Sequence, residues 1–368
     1  MKKRLAALLA ALLLVFSLAS CARETPAVTV GKTVVTANMY QYWASSYKAV
    51  FAYSYSDYAD NDSFWQKELS SGGTVVEYLD SLVLRYVRQT AAAADCCDRL
   101  GVRLSDKTLD AIDARLDDLE ADYADGSRNA FNRLLAAYGV NRSILREIYI
   151  MEAKVEALEN ALFAADGELA LTDEARERYY GENYVRVSLI LVGDTYRYAT
   201  DENGSFILDP STNSYVTVSL TDEEKAEKAA KIAEIDEKLA AGEDFAALEK
   251  THSEATLFYG EDGVYPNGYY LTAGTSFVSE VTELAFSLDE GETGKVSTAY
   301  GTFFAKRLPL DEGAYKNTAN SDFFPDFDAA VRENLFLSYL SPYVAEAVAD
   351  EDVIARFSLP NVTPNYRY

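Results

Sequence analysis

Between Thr36 and Glu182 apolar side chains recur three and four residues apart, the period of a helix with one buried face. The clearest stripe is Ile144, Ile148, Met151, Val155, Leu158 and Leu162. A long helix from about Thr74 carries Val83, Tyr86, Thr90, Ala94 and Cys97 and stops at Gly101. Ser105 is the N-cap of a helix bearing Leu109, Ile112, Leu116 and Leu119, and Phe131, Leu134 and Tyr138 mark a short helix ended by Gly139. Val28 to Val35 reads as a small hairpin, after which Thr36 caps a helix with Met39, Trp43, Tyr47 and Val50 on its face. Tyr53, Tyr55 and Tyr58 continue that aromatic run into a looser, polar stretch. The segment Tyr40–Tyr58 reads either as a packed core face or as a surface for apolar partners, since tyrosine offers apolar area with a polar tip.

At Tyr184 the pattern changes. Val185 to Val192 is a β-branched run and predicts a strand. Thr221 followed by Glu224 is a capping box, and Ile232, Ile235 and Leu239 form a helical stripe that Gly242 closes. A shorter helix with Phe245 and Leu248 follows, then a turn-rich passage with Gly263 and Pro266-Asn267-Gly268. A helix around Phe277 to Leu288, a Glu290-Gly291-Glu292 turn and strands near Val296 and Phe303 to Leu308 complete the region. The stretch 193–220 reads as a hairpin, Tyr196 to Ala199 turning at Asn203-Gly204 into Phe206 to Leu208, with Asp201 and Asp209 lacking calcium-loop spacing. From Phe323 to Phe357 helical spacing returns in Phe327, Val331 and Leu335. Ser341-Pro342 breaks and restarts it before Val344, Val348, Ile354 and Phe357, and 358–368 reads as irregular.

The order strand, two helices, loop, helix, strand, strand resembles the parvulin-type peptidyl-prolyl isomerase domain. The words "AAGEDFAALEKTHSE", "LAFSLDEGETGKVST" and "YGTFFAKRL" carry that resemblance across most of 185–308. "VTVGKTVVTANMY", "LGVRLSD" and "LTDEARERYYGENY" resemble the N-terminal arm of the SurA and PrsA families of extracytoplasmic foldases. The resemblance implies an α+β fold: a helical SurA/PrsA-like chaperone domain from N-terminal helices plus a C-terminal helix. Into it is inserted a parvulin-like four-stranded antiparallel sheet with helices. The expected divisions are 1–20, 21–182, 183–312 with its insert, and 313–368, the last packing back on the N-terminal helices.

Parvulins are expected to use a histidine on the first strand, another on the last, and a Cys or Asp after the second helix. These positions fall on Leu189, Phe303 and Ala255, all apolar, and the whole chain holds one histidine, His252. His252 reads as a solvated loop residue. Turning an X-Pro amide needs an apolar pocket and polar groups that favour the twisted amide. The apolar half is expected at Phe277, Val281, Phe303 and Tyr269, which read equally as domain core. No catalytic residue is therefore assigned. A non-standard site using Tyr265, Tyr269 or Tyr270 is the alternative.

Composition narrows the partners. With 59 acidic against 34 basic residues and a net charge of −25, the chain lacks the basic surface that nucleic acid or anionic lipid requires. The charge suits solubility and weak capture of basic, incompletely folded polypeptides. Lys2-Lys3-Arg4, an apolar run to Ala19 and Leu18-Ala19-Ser20-Cys21 form a signal peptide with a lipobox-like end. Cys21 is the expected lipid attachment point, placing the protein outside the cytoplasm on the cell membrane. Cys96 and Cys97 are read as buried thiols, too few for a disulfide framework or a zinc site, and no metal or cofactor is expected. Three functions follow: a holdase or foldase for non-native secreted chains with weak or absent isomerisation, an active isomerase, or a non-catalytic assembly scaffold.

Overall fold

The computed structural model describes residues 25–69, 72–255, 265, 267–274 and 277–368. The signal segment, Cys21, Gly263 and Pro266 lie outside the described residues. The protein is α+β, with small antiparallel sheets among helices. It divides into two compact units, 1–171 with 332–368, and 172–331.

The first unit opens with the expected hairpin, β1 (Pro26–Val30) and β2 (Thr33–Thr36). Thr36 caps α1 (Ala37–Ser54) by accepting the Met39 N–H. Helix α1 turns Met39, Tyr40, Tyr42 and Trp43 into the core, so most of the aromatic run is core face, while Tyr53 and Tyr55 stand 94 and 39 % exposed. After the short α2 (Asp62–Trp65), helix α3 (Val75–Arg99) starts at a complete Thr74/Glu77 capping box. Its Cys96 and Cys97 are free and buried. Helices α4 (Asp106–Ala124), α5 (Arg128–Leu135) and α6 (Arg142–Leu162) follow, each capped by a side-chain oxygen from Ser105, Ser127 and Asn141.

The second unit begins with α7 (Asp173–Asn183), which runs directly into β3 (Tyr184–Val192). Its limits lie outside the expected 183–312 because the rings of Tyr180 and Tyr184 meet Phe324 at 5.8 and 5.0 Å, and Phe324 meets Phe327 at 5.8 Å. The insert differs from the single hairpin expected. The expected turn at Asn203-Gly204 is present, Thr200 bridging to Phe206 and the Ile207 N–H donating to the Ala199 carbonyl at 2.9 Å, but the chain then reverses again between β5 (Leu208–Asp209) and β6 (Ser214–Tyr215), and β4 (Tyr196–Tyr198) pairs with β7 (Thr217–Ser219). Asp201 and Asp209 drive the two reversals, their carboxylates accepting the Asn203 and Ser205 N–H groups and the Ser211 N–H.

Helix α8 (Asp222–Ala240) has the expected Thr221/Glu224 capping box, and α9 (Phe245–His252) follows Gly242 at φ +83°. A strand absent from the sequence reading, β8 (Tyr269–Thr272), comes next. It starts after Gly268, where a Cβ would sit 2.9 Å from the Val187 carbonyl oxygen, so only glycine admits this close pairing. Helix α10 (Ser279–Ser287), β9 (Thr293–Ser297) and β10 (Thr302–Leu308) complete a four-stranded antiparallel sheet ordered β8-β3-β10-β9.

Helix α11 (Phe327–Ala345) contains Pro342 without the expected break. The proline lies in the last turn, where its missing N–H costs one hydrogen bond, and Leu340, Tyr343 and Val344 on either side are held by the Cys96, Cys97 and Phe336 cluster. Val348 is not helical: β11 (Val348–Ala349) adds to β1, giving the sheet order β11-β1-β2. Helix α12 (Glu351–Ile354) leads to an irregular but packed tail. The Asp80 carboxylate accepts the Ser358 hydroxyl and the Leu359 N–H, and the Asn365 N–H donates to the Ser45 carbonyl at 2.8 Å.

The buried Lys48 ties this tail to the helices. Its ammonium donates to the Val362 carbonyl at 3.0 Å, pairs with Asp60 at 2.9 Å and lies 5.5 Å from the Trp65 ring. Replacing Lys48 with methionine keeps the stem, strips the Val362 carbonyl of this donor and leaves Asp60 with the Trp65 indole N–H but no cation. Urea unfolding should show a loss of about 1–3 kcal/mol; an unchanged midpoint would show that the ammonium adds nothing to the packing of its stem.

Candidate functional site

Alternation along β3 sorts its side chains onto two faces. Val185, Val187, Leu189 and Leu191 join Ala255, Tyr269, Leu271, Val281, Ala285, Phe303 and Ala305 in one buried cluster. Ile190 and Val192 join Phe304 and the α8–α9 residues Ile235, Phe245 and Leu248 in another. Phe303 and Phe304, adjacent in sequence, therefore serve opposite sides of the sheet.

The three positions matched to the parvulin polar groups come together on the first face. Register pairs Phe303 with Leu191 and Ala305 with Leu189, so Leu189 and Phe303 are diagonal neighbours on adjacent strands. Ala255 is brought in by its predecessors. The Glu254 N–H donates to the Leu191 carbonyl at 2.7 Å, and the Ser253 hydroxyl accepts the Leu191 N–H at 3.2 Å. Leu189, Ala255 and Phe303 are 4, 6 and 1 % exposed. Their side chains carry only C–H groups; none can donate a hydrogen bond, accept one or hold a proton.

The expected apolar residues divide between core and surface. Val281, Phe303 and Tyr269 are buried in the cluster. Phe277 bridges to it, 5.8 Å from the Tyr269 ring and 6.4 Å from Phe303, yet also lines a surface cavity of about 280 Å³ with Ala273, Thr282 and Phe286. Of the tyrosines named for a non-standard site, Tyr265 donates its hydroxyl to Asp322 and Tyr270 donates to Asp311, both at 2.9 Å. Burial, reinforced by Asp311, pushes the Tyr270 hydroxyl up to about 12. Its proton stays on at neutral pH.

Polar groups missed in the sequence lie beside the other face. Ser188 donates to Glu249, whose carboxyl is pushed up by burial. Glu254 accepts from Lys228 and Lys231, each at 2.7 Å, and from the Gly193 N–H at 2.9 Å. Burial raises the Glu254 carboxyl, but these bonds outweigh it and hold the group below its ordinary value. No spacing rule could have found these pairs, since they join β3, α8 and α9 across 23 or more residues. His252 is less solvated than expected. It ends α9 with its side chain 12 % exposed, Nδ1 2.6 Å from the Thr251 hydroxyl and Nε2 3.4 Å from Glu234. It stands on the α8–α9 side, away from Leu189 and Phe303. Among the described residues no cluster of His, Cys, Asp or Glu could hold a metal ion, and no helix is long and apolar enough to cross a membrane.

No family model and no curated protein matches the chain. Solved structures do. The chain is similar to PrsA from Bacillus subtilis, 17 % identical over 81 % of this chain and 92 % of that one, with a TM-score of 0.23. It is similar to the foldase protein PrsA from Streptococcus pneumoniae, 18 % identical over 79 and 92 % with a TM-score of 0.23. It is also similar to the peptidylprolyl isomerase PrsA from Bacillus cereus, 19 % identical over 79 and 89 % with a TM-score of 0.28. Likeness at this level says nothing about chemistry, which rests on the residues above.

Glu249 gives a measurable pH signature. Its carboxyl is raised in the folded state by burial, so its contribution to stability is fully present below about pH 4.5 and is lost as pH rises through the folded value. Glu249→Gln should therefore gain thermal stability relative to the parent as pH rises from about 4.5 towards 7. A pH-independent difference in Tm would show that Glu249 is not desolvated in solution.

Proposed function

We propose that this protein is an extracytoplasmic foldase of the holding kind, anchored by lipid on Cys21, that binds non-native polypeptides and isomerises X-Pro bonds weakly or not at all. One observation carries the reading. The three side chains that the parvulin resemblance would make polar, Leu189, Ala255 and Phe303, meet on one sheet face, and all are apolar and buried.

The physical consequence is direct. Rotation about an ordinary peptide bond crosses a barrier of about 18–20 kcal/mol, and an enzyme lowers the related X-Pro barrier by favouring the twisted amide over the planar one. That preference requires donors or charges aimed at the carbonyl and the pyramidal nitrogen. A face made of C–H groups supplies neither. The nearby cavity, with Phe277 and the 40 % exposed Phe286 on its wall, suits an apolar side chain of a client. A net charge of −25 adds weak long-range attraction for basic unfolded chains.

Two assays on the purified protein test this reading. Aggregation of a chemically denatured, unrelated protein should be suppressed at modest excess, and a Phe277→Asp/Phe286→Asp variant should lose much of that protection. Turnover of X-Pro peptides should stay close to the unaided rate. Acceleration matching an intact parvulin would instead favour an active isomerase drawing on Tyr265, Tyr269 or Tyr270. No suppression even at large excess would favour an assembly scaffold. The anchor has its own test: the parent should fractionate with membranes and Cys21→Ser should appear in the soluble extracytoplasmic fraction, whereas co-fractionation of both would remove the lipid from this account.

A further inference from the structure

The insert between β3 and α8 carries an aromatic cluster that lies partly at the surface. The Tyr198 ring lies 5.9 Å from Tyr196, 5.4 Å from Phe206 and 5.4 Å from Tyr215, and Phe206 lies 5.5 Å from Tyr215. Small domains normally hide such a cluster. Here Phe206, Ile207, Leu208 and Tyr215 keep 42, 40, 49 and 48 % of their surface exposed. Between the insert and α8 is a cavity of about 280 Å³, with Tyr196, Tyr198 and Phe206 on the insert side and Glu224, Glu227 and Lys228 on the helix side.

One carboxylate lining this cavity has no ion pair. Arg197 pairs with Glu224 at 2.9 Å, and Glu254 is shared by Lys228 and Lys231, each at 2.7 Å. Glu227 is left, exposed on α8 and without an ion pair to any described residue. The insert itself is acidic: residues 193–220 contain four acidic side chains and one basic one.

We propose that this cleft is a peptide-binding site separate from the sheet face around Leu189 and Phe303. Its occupant is a segment of non-native polypeptide in which an aliphatic or aromatic side chain lies beside a lysine or arginine. The apolar side chain enters between Tyr196, Tyr198 and Phe206, and the cation reaches Glu227 across the rim, where an aromatic face adds a cation–π contact. The volume lies just below the range of about 300–1,000 Å³ typical of small-molecule pockets, so it suits one or two side chains rather than a large ligand. A second copy of the chain is a poor occupant, because the acidic surround of one cleft would meet the same sign on another molecule of net charge −25. The choice of a non-native polypeptide as occupant rests on the holding role proposed above, while the cleft itself shares no residue with the Phe277 cavity.

Fluorescence anisotropy with the whole protein tests this directly. The probes are a labelled Gly/Ser peptide with a Phe-Lys-Leu-Arg core, the same peptide with Glu for Lys and Arg, and the same peptide with Ser for Phe and Leu. The first should bind, more weakly as salt is raised, and the other two should bind at least about tenfold less tightly. Glu227→Gln and Phe206→Ser should each weaken the first peptide by about tenfold, with unfolding midpoints unchanged. Glu156→Gln, an exposed carboxylate of the first unit, should leave its affinity alone. Equal affinity for the acidic-core peptide, or full affinity in both cleft variants, would overturn the proposal. Sedimentation showing a dimer that Phe206→Ser dissociates would overturn it in favour of self-association.

Discussion

The second unit depends on one constraint: β3 is buried on both faces. It pairs with β10 over seven residues and with β8 over four, while one side chain set packs under α10 and the other under α8 and α9. A strand in that position must be apolar or must bring a partner for every polar atom, because an unpaired buried donor or acceptor costs about 1–3 kcal/mol. Ser188 meets the condition through Glu249. Leu189, on the opposite face, meets it by having no polar atom. An apolar side chain at Leu189 is thus compatible with the fold, since the surrounding Phe303, Tyr269 and Val281 provide a dry setting.

The same constraint explains where polar chemistry in this unit gathers. Charges sit at the ends of the buried strand rather than along it. Glu254 lies beyond α9 with Lys228, Lys231 and the Gly193 N–H, and Asp311 lies beyond β10 with Arg186 and Tyr270. At the first of these edges Glu254 keeps its charge by accepting several donors, in contrast to Glu249, where burial with a single hydroxyl partner favours the proton. The insert grows from one such edge, directly after Val192, and its aromatic cluster adds apolar surface where the sheet has stopped.

In the first unit the organising contacts are between distant parts of the chain. β11 extends the N-terminal hairpin, Asp80 holds Ser358 and Leu359, and Lys48 joins α1 to Val362 and Asp60. These polar links select one path for an irregular tail whose apolar residues, Leu359 and Val362, are buried in the same core as Trp43 and Phe131.

Local signals were sufficient for much of this architecture. Thr36, Ser105 and Thr221 cap the helices they were expected to cap, and the stripe from Ile144 to Leu162 is one helix, because capping and 3.6-residue periodicity act within a few residues of chain. The single histidine and the apolar identity of Leu189, Ala255 and Phe303 were likewise plain from the sequence. What tertiary structure alone decided are features set by partners far along the chain. Tyr269–Thr272 is a strand because β3 offers it an edge, and Val348–Ala349 is a strand because β1 does; neither run is long enough to declare a period. Pro342 stays inside a helix because packing on both sides outweighs one lost hydrogen bond. Whether Phe303 or Phe277 reaches solvent was beyond any pattern of residues, for exposure depends on what covers a side chain, and that is supplied by other elements of the fold.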